Sequence, residues 1–221
     1  MTKLAIFDVD GTLVDSRAVL KASSDAAFTA IGVEPPPYEE LRKIIGLSLK
    51  EGLAQLAPYL TPAQVDALTD HYKQSFGAFH QQPDFIEPLY DGAAELLDRL
   101  KGDGWLIAMA TGKSRRGVET IMRMHGWADV FDTTHCADDG PGKPHPAMLH
   151  AALEALGVSA RDAVMIGDTA FDMAMARAAG IHAVGVTWGF HTRGEIEVGG
   201  ADVMVETFAE LTAELERFGA G

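Results

Sequence analysis

The chain has 221 residues, 47% of them apolar, and a formal net charge of −14. That length suits one large domain or one and a half small ones, and the apolar fraction excludes a disordered chain. The negative charge excludes a nucleic-acid binder and a ligand of anionic membrane surfaces, both of which need a basic footprint. The single cysteine, Cys136, rules out an intrachain disulfide and is expected as a partly buried thiol near a strand end. No segment reads as a signal peptide and no apolar run approaches a membrane span, so the expected location is the cytoplasm. The eight histidines form no pair at helical metal-binding spacing, and His145 reads as a loop residue.

In chain order, the first element is a strand over 4–10, an apolar run that ends in Asp8, Val9 and Asp10 before Gly11. Alternate residues of a strand share a face, and two carboxylates cannot be buried there without cost. They are expected just past the carboxyl end of a central strand, where open α/β sheets bind ligands. Residues 17–79 then carry only helical periodicity. Helices are expected over 17–30, over 38–56 with an interruption at Gly46, and from Thr61 to about Phe79. Thr61-Pro62-Ala63-Gln64 reads as a capping box with proline in the first turn.

After Pro83 and Pro88 the pattern alternates. Helices are expected over 91–101, 114–125, 146–156, 171–179 and 206–218, and strands over 105–110, 129–133, 163–166, 181–186 and 203–205. Strands alternating with ten-residue helices imply an α/β fold, a mostly parallel sheet covered by helices on both faces. The sheet needs the first strand as a member, so the helical block interrupts the α/β unit. The expected division is a core of 1–15 and 83–221 with an all-helical insertion at 16–82. An insertion at that point stands over the carboxyl end of the first strand, positioned as a lid.

Three later segments supply chemistry to join Asp8 and Asp10: Thr111-Gly112-Lys113 after one strand, Lys143-Pro144, and Gly167-Asp168-Thr169 running on to Asp172. Together they offer a carboxylate nucleophile, a hydroxyl, a fixed cation and further carboxylates, the parts needed to move a phosphoryl group with a hard metal ion. Each residue also has a plainer use. Asp168 could cap a helix, Thr111 could cap the one near Ser114, Lys143 could be a solvated surface group, and Asp172 could be a first-turn carboxylate.

With these four segments in order, the chain resembles the haloacid-dehalogenase superfamily, of the phosphoglycolate-phosphatase-like kind with a small helical cap. The resemblance spans nearly the whole chain. It implies a Rossmann-like core, a mobile cap and a Mg²⁺-dependent aspartate nucleophile. On these residues it implies Asp8 as nucleophile, Asp10 as acid and base, and Lys143 on the transferring phosphate. The metal would sit on Asp8, Asp168 and the backbone carbonyl of Asp10. Thr111 and the Gly112 amide would donate to phosphate oxygens, Asp172 would orient Lys143 or a metal-bound water, and Thr12 would support the loop. Asp10 argues against a dehalogenase, since members that break a carbon–halogen bond lack it.

The implied partner is a small phosphorylated metabolite, handled by a monomer or homodimer, with phosphoglycolate as one candidate. Lys113, Arg42 and Arg115 are the basic residues expected to meet it, with Lys43 and Arg116 as neighbours, although any one of them could be a solvated surface charge. A phosphosugar mutase or a pyrophosphatase is the alternative within that chemistry, and a phosphonoacetaldehyde hydrolase would need a cap lysine for a Schiff base, for which Lys43 or Lys50 is the obvious candidate. Outside that chemistry, a receiver-like or other non-catalytic phosphate-binding protein is the alternative, but a receiver would not explain the helical insertion.

Overall fold

The computed structural model describes residues 2–220. Six strands form one parallel sheet: β1 (Leu4–Phe7), β2 (Leu106–Ala110), β3 (Thr133–His135), β4 (Ala163–Gly167), β5 (His182–Val186) and β6 (Val203–Val205). Their order across the sheet is β3-β2-β1-β4-β5-β6. The chain therefore works outward from β1 in one direction, then returns to place β4 on its other side. The order reverses between β1 and β4, and a crevice opens there outside the carboxyl ends of the strands.

Strand alternation sorts the core into two layers. Ala5, Phe7, Ile107, Met109, Val164 and Ile166 face one side, against α5 (Ala93–Gly102), α6 (Arg115–His125) and α10 (Phe208–Ala220). Leu4, Ile6, Ala108, Ala110, Ala163 and Met165 face the other, against α7 (Ala147–Leu156), α8 (Ala170–Ala179) and α9 (Arg193–Gly199). β1 has no exposed residue, as its run of apolar residues requires for a strand covered on both faces.

Between β1 and α5 lies the helical block: α1 (Arg17–Ala30), α2 (Tyr38–Leu41), α3 (Leu49–Leu56) and α4 (Pro62–His80). It has its own apolar cluster, in which Val19, Ala27, Phe28, Leu53, Leu68 and Tyr72 meet. The Thr61 hydroxyl and the Gln64 side chain cap α4 reciprocally, as the sequence predicts. The two strands of chain that join block to core run side by side: the Asp15 amide donates to Pro88 O at 2.8 Å and the Tyr90 amide to Leu13 O at 3.0 Å.

The first strand, expected over 4–10, ends at Phe7, which leaves Asp8 and Asp10 in the loop beyond it, and three further elements differ from the sequence reading. The helix expected over 38–56 is broken, with a 3₁₀ turn at Arg42–Ile44 and a non-helical stretch before Leu49. Gly46 there has φ of +103°, a left-handed conformation that stops a helix and that glycine adopts without penalty. The strand expected over 129–133 begins only at Thr133, because Trp127 and Phe131 turn into the core instead of joining the sheet. Helix α9 was not anticipated, although Thr192 and Glu195 form a capping box at its start. Cys136, just past β3, is fully buried. Among the described residues no helix is long and apolar enough to cross a membrane.

Leu53 is fully buried within the helical block. Leu53→Ala is expected to lower unfolding stability by about 2–5 kcal/mol through lost transfer energy and a cavity. Denaturant melts of the two proteins check this, and a loss well under about 1 kcal/mol would mean the block's packing is loose there.

Candidate active site

The strand ends bring the separated motifs into one place. Asp8 follows β1 directly, Asp168 follows β4, and Lys143 precedes α7. All three are buried, with Asp8 2% exposed, Asp168 0% and Lys143 1%. The Lys143 ammonium lies 2.6 Å from Asp8 Oδ1 and 2.6 Å from Asp172 Oδ1. Lys143 is thus a cation fixed between two carboxylates and not a solvated surface group. Carboxylate oxygens of Asp8, Asp168 and Asp172 converge within 4.8 Å of one another.

Hydrogen bonds divide the three aspartates. Asp172 Oδ2 accepts from the Thr169 amide and hydroxyl at 3.0 and 2.7 Å, and its other oxygen faces Lys143. Its carboxylate is committed to capping α8 and holding Lys143. Thr169, not Asp168, caps that helix. Asp168 Oδ1 accepts from the Thr12 hydroxyl at 3.0 Å and Oδ2 from the Phe190 amide at 2.7 Å. Each oxygen keeps a second lone pair, so Asp168 is aimed but not saturated. Gly11, at φ +84°, lets the chain pass so near that an added Cβ would stand 2.3 Å from Asp168 Oδ2.

This donor set fits a hard divalent cation: buried carboxylate oxygens, more negative charge than the one lysine offsets, and an aspartate with free lone pairs. The side chain of Asp10 is elsewhere. Its Oδ1 lies 2.9 Å from Lys113 Nζ, which in turn lies 3.7 Å from Glu87 Oε2. Thr111 is buried after β2, and its hydroxyl accepts from the Lys113 amide at 3.2 Å, leaving the O–H proton available to a ligand.

Arg42, Lys43 and Arg115 are occupied. Arg42 Nε pairs with Glu39 at 2.7 Å, while its Nη1 reaches Glu195 at 2.8 Å and Phe190 O at 3.2 Å, clasping the helical block to the core. Lys43 pairs with Glu40 at 2.8 Å. Arg115 bonds Thr134 at 2.8 Å and Asp139 at 2.5 Å, alongside β3.

The segment around Gly46 closes the site from above. A Cβ on Gly112 would meet Gly46 O at 2.8 Å and Leu47 O at 2.9 Å, and one on Gly46 would meet the Thr169 hydroxyl at 3.1 Å. Phe171 of α8 packs against the small cluster of Leu41, Ile44 and Leu47. The break in the expected 38–56 helix therefore has a structural purpose: its unwound turn packs against the motif loops at Gly112 and Thr169.

The haloacid dehalogenase-like hydrolase family matches this chain over residues 5–186. The chain belongs to that family. It is 35% identical over 217 residues to the protein named "Probable phosphatase IndB" of Dickeya dadantii (strain 3937), covering 96% of this chain and 92% of that one. It is 30% identical over 220 residues to the phosphoglycolate phosphatase of Agrobacterium fabrum, covering 97% and 93%. A predicted phosphatase from Clostridium acetobutylicum has a similar structure, with a TM-score of 0.87, 26% identity and coverage of 98% and 99%. So does CbbY from Rhodobacter sphaeroides, solved with phosphate, at a TM-score of 0.80, 29% identity and coverage of 96% of each chain. Within the haloacid dehalogenase-like hydrolases, the chain groups with phosphatases.

The electrostatics follow from this crowding. Burial pushes the Asp8 carboxyl up to about 7; Lys143 opposes that, and Asp172 and Asp10 add to it. Burial, then the charges of Asp8 and Asp172, hold Asp168 well above the usual carboxylate range. Burial works against the charge on Lys143, but Asp172 and Asp8 outweigh it and raise its pKa. Sequence reasoning missed Phe190, Glu87 and His80. Phe190 and Glu87 sit in loops and His80 at a helix end, so no periodicity marks them, and only the fold brings them to Asp168 and Lys113.

A raised carboxyl pKa carries a sign. Between the ordinary 3.8 and about 7, the folded protein binds a proton that the unfolded chain does not. Asp8 therefore contributes stability at low pH that is lost as pH rises through that window. A bound divalent cation restores that stability, since it favours the ionised carboxylates. Mg²⁺ is expected to raise the melting temperature more at about pH 8 than at about pH 5.5, and to release protons on binding at the lower pH. Thermal melts and calorimetry in two buffers check both effects. An equal Mg²⁺ increment at both pH values would contradict them.

Proposed function

We propose that this chain is a Mg²⁺-dependent phosphomonoesterase that acts through an aspartyl-phosphate on Asp8. The observation that carries this reading is the clamp on Asp8, which is buried at the carboxyl end of β1, 2.6 Å from Lys143 and within reach of Asp168. Asp8 is the nucleophile, a carboxylate able to form a mixed anhydride with phosphate. Asp8, Asp168 and the Asp10 carbonyl would hold the metal. When bound, the ion supplies positive charge that offsets the repulsion between carboxylate and phosphate.

Each remaining residue has a part. Lys143 neutralises charge on the transferring group, and Asp172 keeps it in place. The Thr111 hydroxyl and the Gly112 amide donate to phosphate oxygens. Asp10 protonates the departing oxygen, then takes a proton from the water that attacks the phosphorus of phospho-Asp8. Inorganic phosphate leaves and both aspartates return to their starting states. The block of 16–82 serves as the lid, with the paired crossings at 13–15 and 88–90 as its hinge.

The substrate is a small phosphorylated metabolite. The site is sealed when the Gly46 turn is seated, and a large leaving group would have to displace that turn. Phosphoglycolate is the first candidate, given the relative in Agrobacterium fabrum. A sugar phosphate is the second, supported by the CbbY structure in complex with xylulose-(1,5)bisphosphate. Arg42 and Arg115 are committed to carboxylates, and Lys113 is held between Asp10 and Glu87.

Asp8→Asn is expected to abolish turnover of p-nitrophenyl phosphate in Mg²⁺ while leaving the melting profile near that of wild type. Asp10→Asn should lower kcat by ~10²–10⁴-fold with little change in KM. Steady-state kinetics on the two variants check this, and near-normal kcat in Asp8→Asn would sink the nucleophile assignment. The lid has its own check. Gly112→Ala places a methyl against two backbone carbonyls, so it should lower kcat/KM at least about tenfold by obstructing closure. Unchanged kcat/KM would show that this contact is not needed for turnover.

A further inference from the structure

A line of four ionisable side chains runs from the helical block to Asp10. It starts at His80, on the last turn of α4. His80 Nδ1 lies 2.9 Å from the Phe76 carbonyl and Nε2 lies 2.7 Å from Glu87 Oε1. A carbonyl and a carboxylate can only accept, so both ring nitrogens must carry protons. The pair is therefore an imidazolium facing a carboxylate. Glu87, 2% exposed, next faces Lys113 Nζ at 3.7 Å, and Lys113, 8% exposed, faces Asp10 Oδ1 at 2.9 Å. Charges alternate along the whole line. The ring of Phe76, also on α4, stands 5.3 Å from the Lys113 ammonium.

Such a line is not explained by stability alone. Buried ion pairs are often no more stabilising than apolar residues of the same shape, whereas breaking one is costly. Nor is Lys113 a free cation, because it already lies between two carboxylates. What the line does supply is geometry. It ends on Asp10, and a proton donor must be held within hydrogen-bond reach of its target.

We propose that Glu87 and His80 are positioning residues for Asp10, acting through Lys113, so that the seating of α4 on the core sets the orientation of the acid/base carboxyl. This rests on the acid/base reading of Asp10 given above. Each link in the line joins a different part of the chain: the end of the helical block, its return segment, the loop after β2 and the loop after β1. Displacing α4 pulls on Glu87, frees Lys113 to swing away, and leaves Asp10 without its partner.

The test is a double-mutant cycle on kcat/KM for two aryl esters, p-nitrophenyl phosphate and phenyl phosphate, whose leaving groups differ in their need for a proton. Glu87→Gln should slow phenyl phosphate about tenfold, a part of the ~10²–10⁴ contributed by proton transfer, and slow p-nitrophenyl phosphate much less. In an Asp10→Asn background the same change should add almost nothing, because the group being positioned is gone. His80→Gln leaves Glu87 and Lys113 in place and should show the same ester bias at smaller size, which keeps the test open if Glu87→Gln is unstable. Equal slowing of both esters, or losses that multiply in the double variant, would overturn the proposal. Wild-type protein inert toward both esters would instead remove the phosphatase reading beneath it.

Discussion

The structure depends on holding like charges together away from water. Oxygens of Asp8, Asp168 and Asp172 lie within 4.8 Å of one another, where each ionised pair repels by about 3–4 kcal/mol at an effective dielectric near 20. Lys143, 2.6 Å from both Asp8 and Asp172, is the cation that opposes this most directly. The sheet makes the arrangement possible, because β1 and β4 are neighbours and both end at the same level. The core tolerates the strain by aiming donors at these carboxylates: the Thr12 hydroxyl and the Phe190 amide at Asp168, and Thr169 at Asp172. A site built this way is poised to take up a cation and an anion together, the pairing that a metal-assisted phosphoryl transfer presents.

The helical block completes what the sheet begins. The carboxyl ends of parallel strands are open to solvent unless something covers them, and here the cover is the turn around Gly46. It meets Gly112 after β2, and Thr169 and Phe171 at the start of α8. Arg42 ties the same region to Glu195 and Phe190 O on the core. Electrostatic interactions strengthen as water is removed, so closure of this turn and the strength of the Lys143 clamp are one property. The core loop carrying Phe190 belongs to both halves: its amide holds Asp168 while its ring packs in the apolar cluster of the helical block.

Most of the frame was legible in the sequence because it rests on local rules. The apolar run before Asp8, the spacing of the later strands and the capping box at Thr61 each point to one structure. Asp8 and Asp168 were legible because they follow apolar strand runs and have no apolar role, and Lys143 because it stands beside Pro144 in an otherwise neutral stretch. What escaped has a common cause. The 38–56 helix broke because Gly46 answers to the core loops it touches, and those loops are more than sixty residues away in sequence. Trp127 and Phe131 pulled a strand boundary inward for the sake of packing. Glu87 and His80 reach Lys113 only through the fold, so nothing in their neighbourhood distinguishes them from surface charge. Arg42 looked like a substrate cation, yet Glu195, far along the chain, holds it.

The central claim is that Asp8 carries the phosphoryl group during turnover. The direct measurement is to quench the protein during turnover of an aryl phosphate, reduce it with borohydride, digest it and map the modified residue by mass spectrometry. An acyl phosphate on Asp8 would appear as homoserine at that position, dependent on both Mg²⁺ and substrate and missing in Asp8→Asn. Turnover with no modification at Asp8, or with modification at Asp10 or Asp168, would contradict the account.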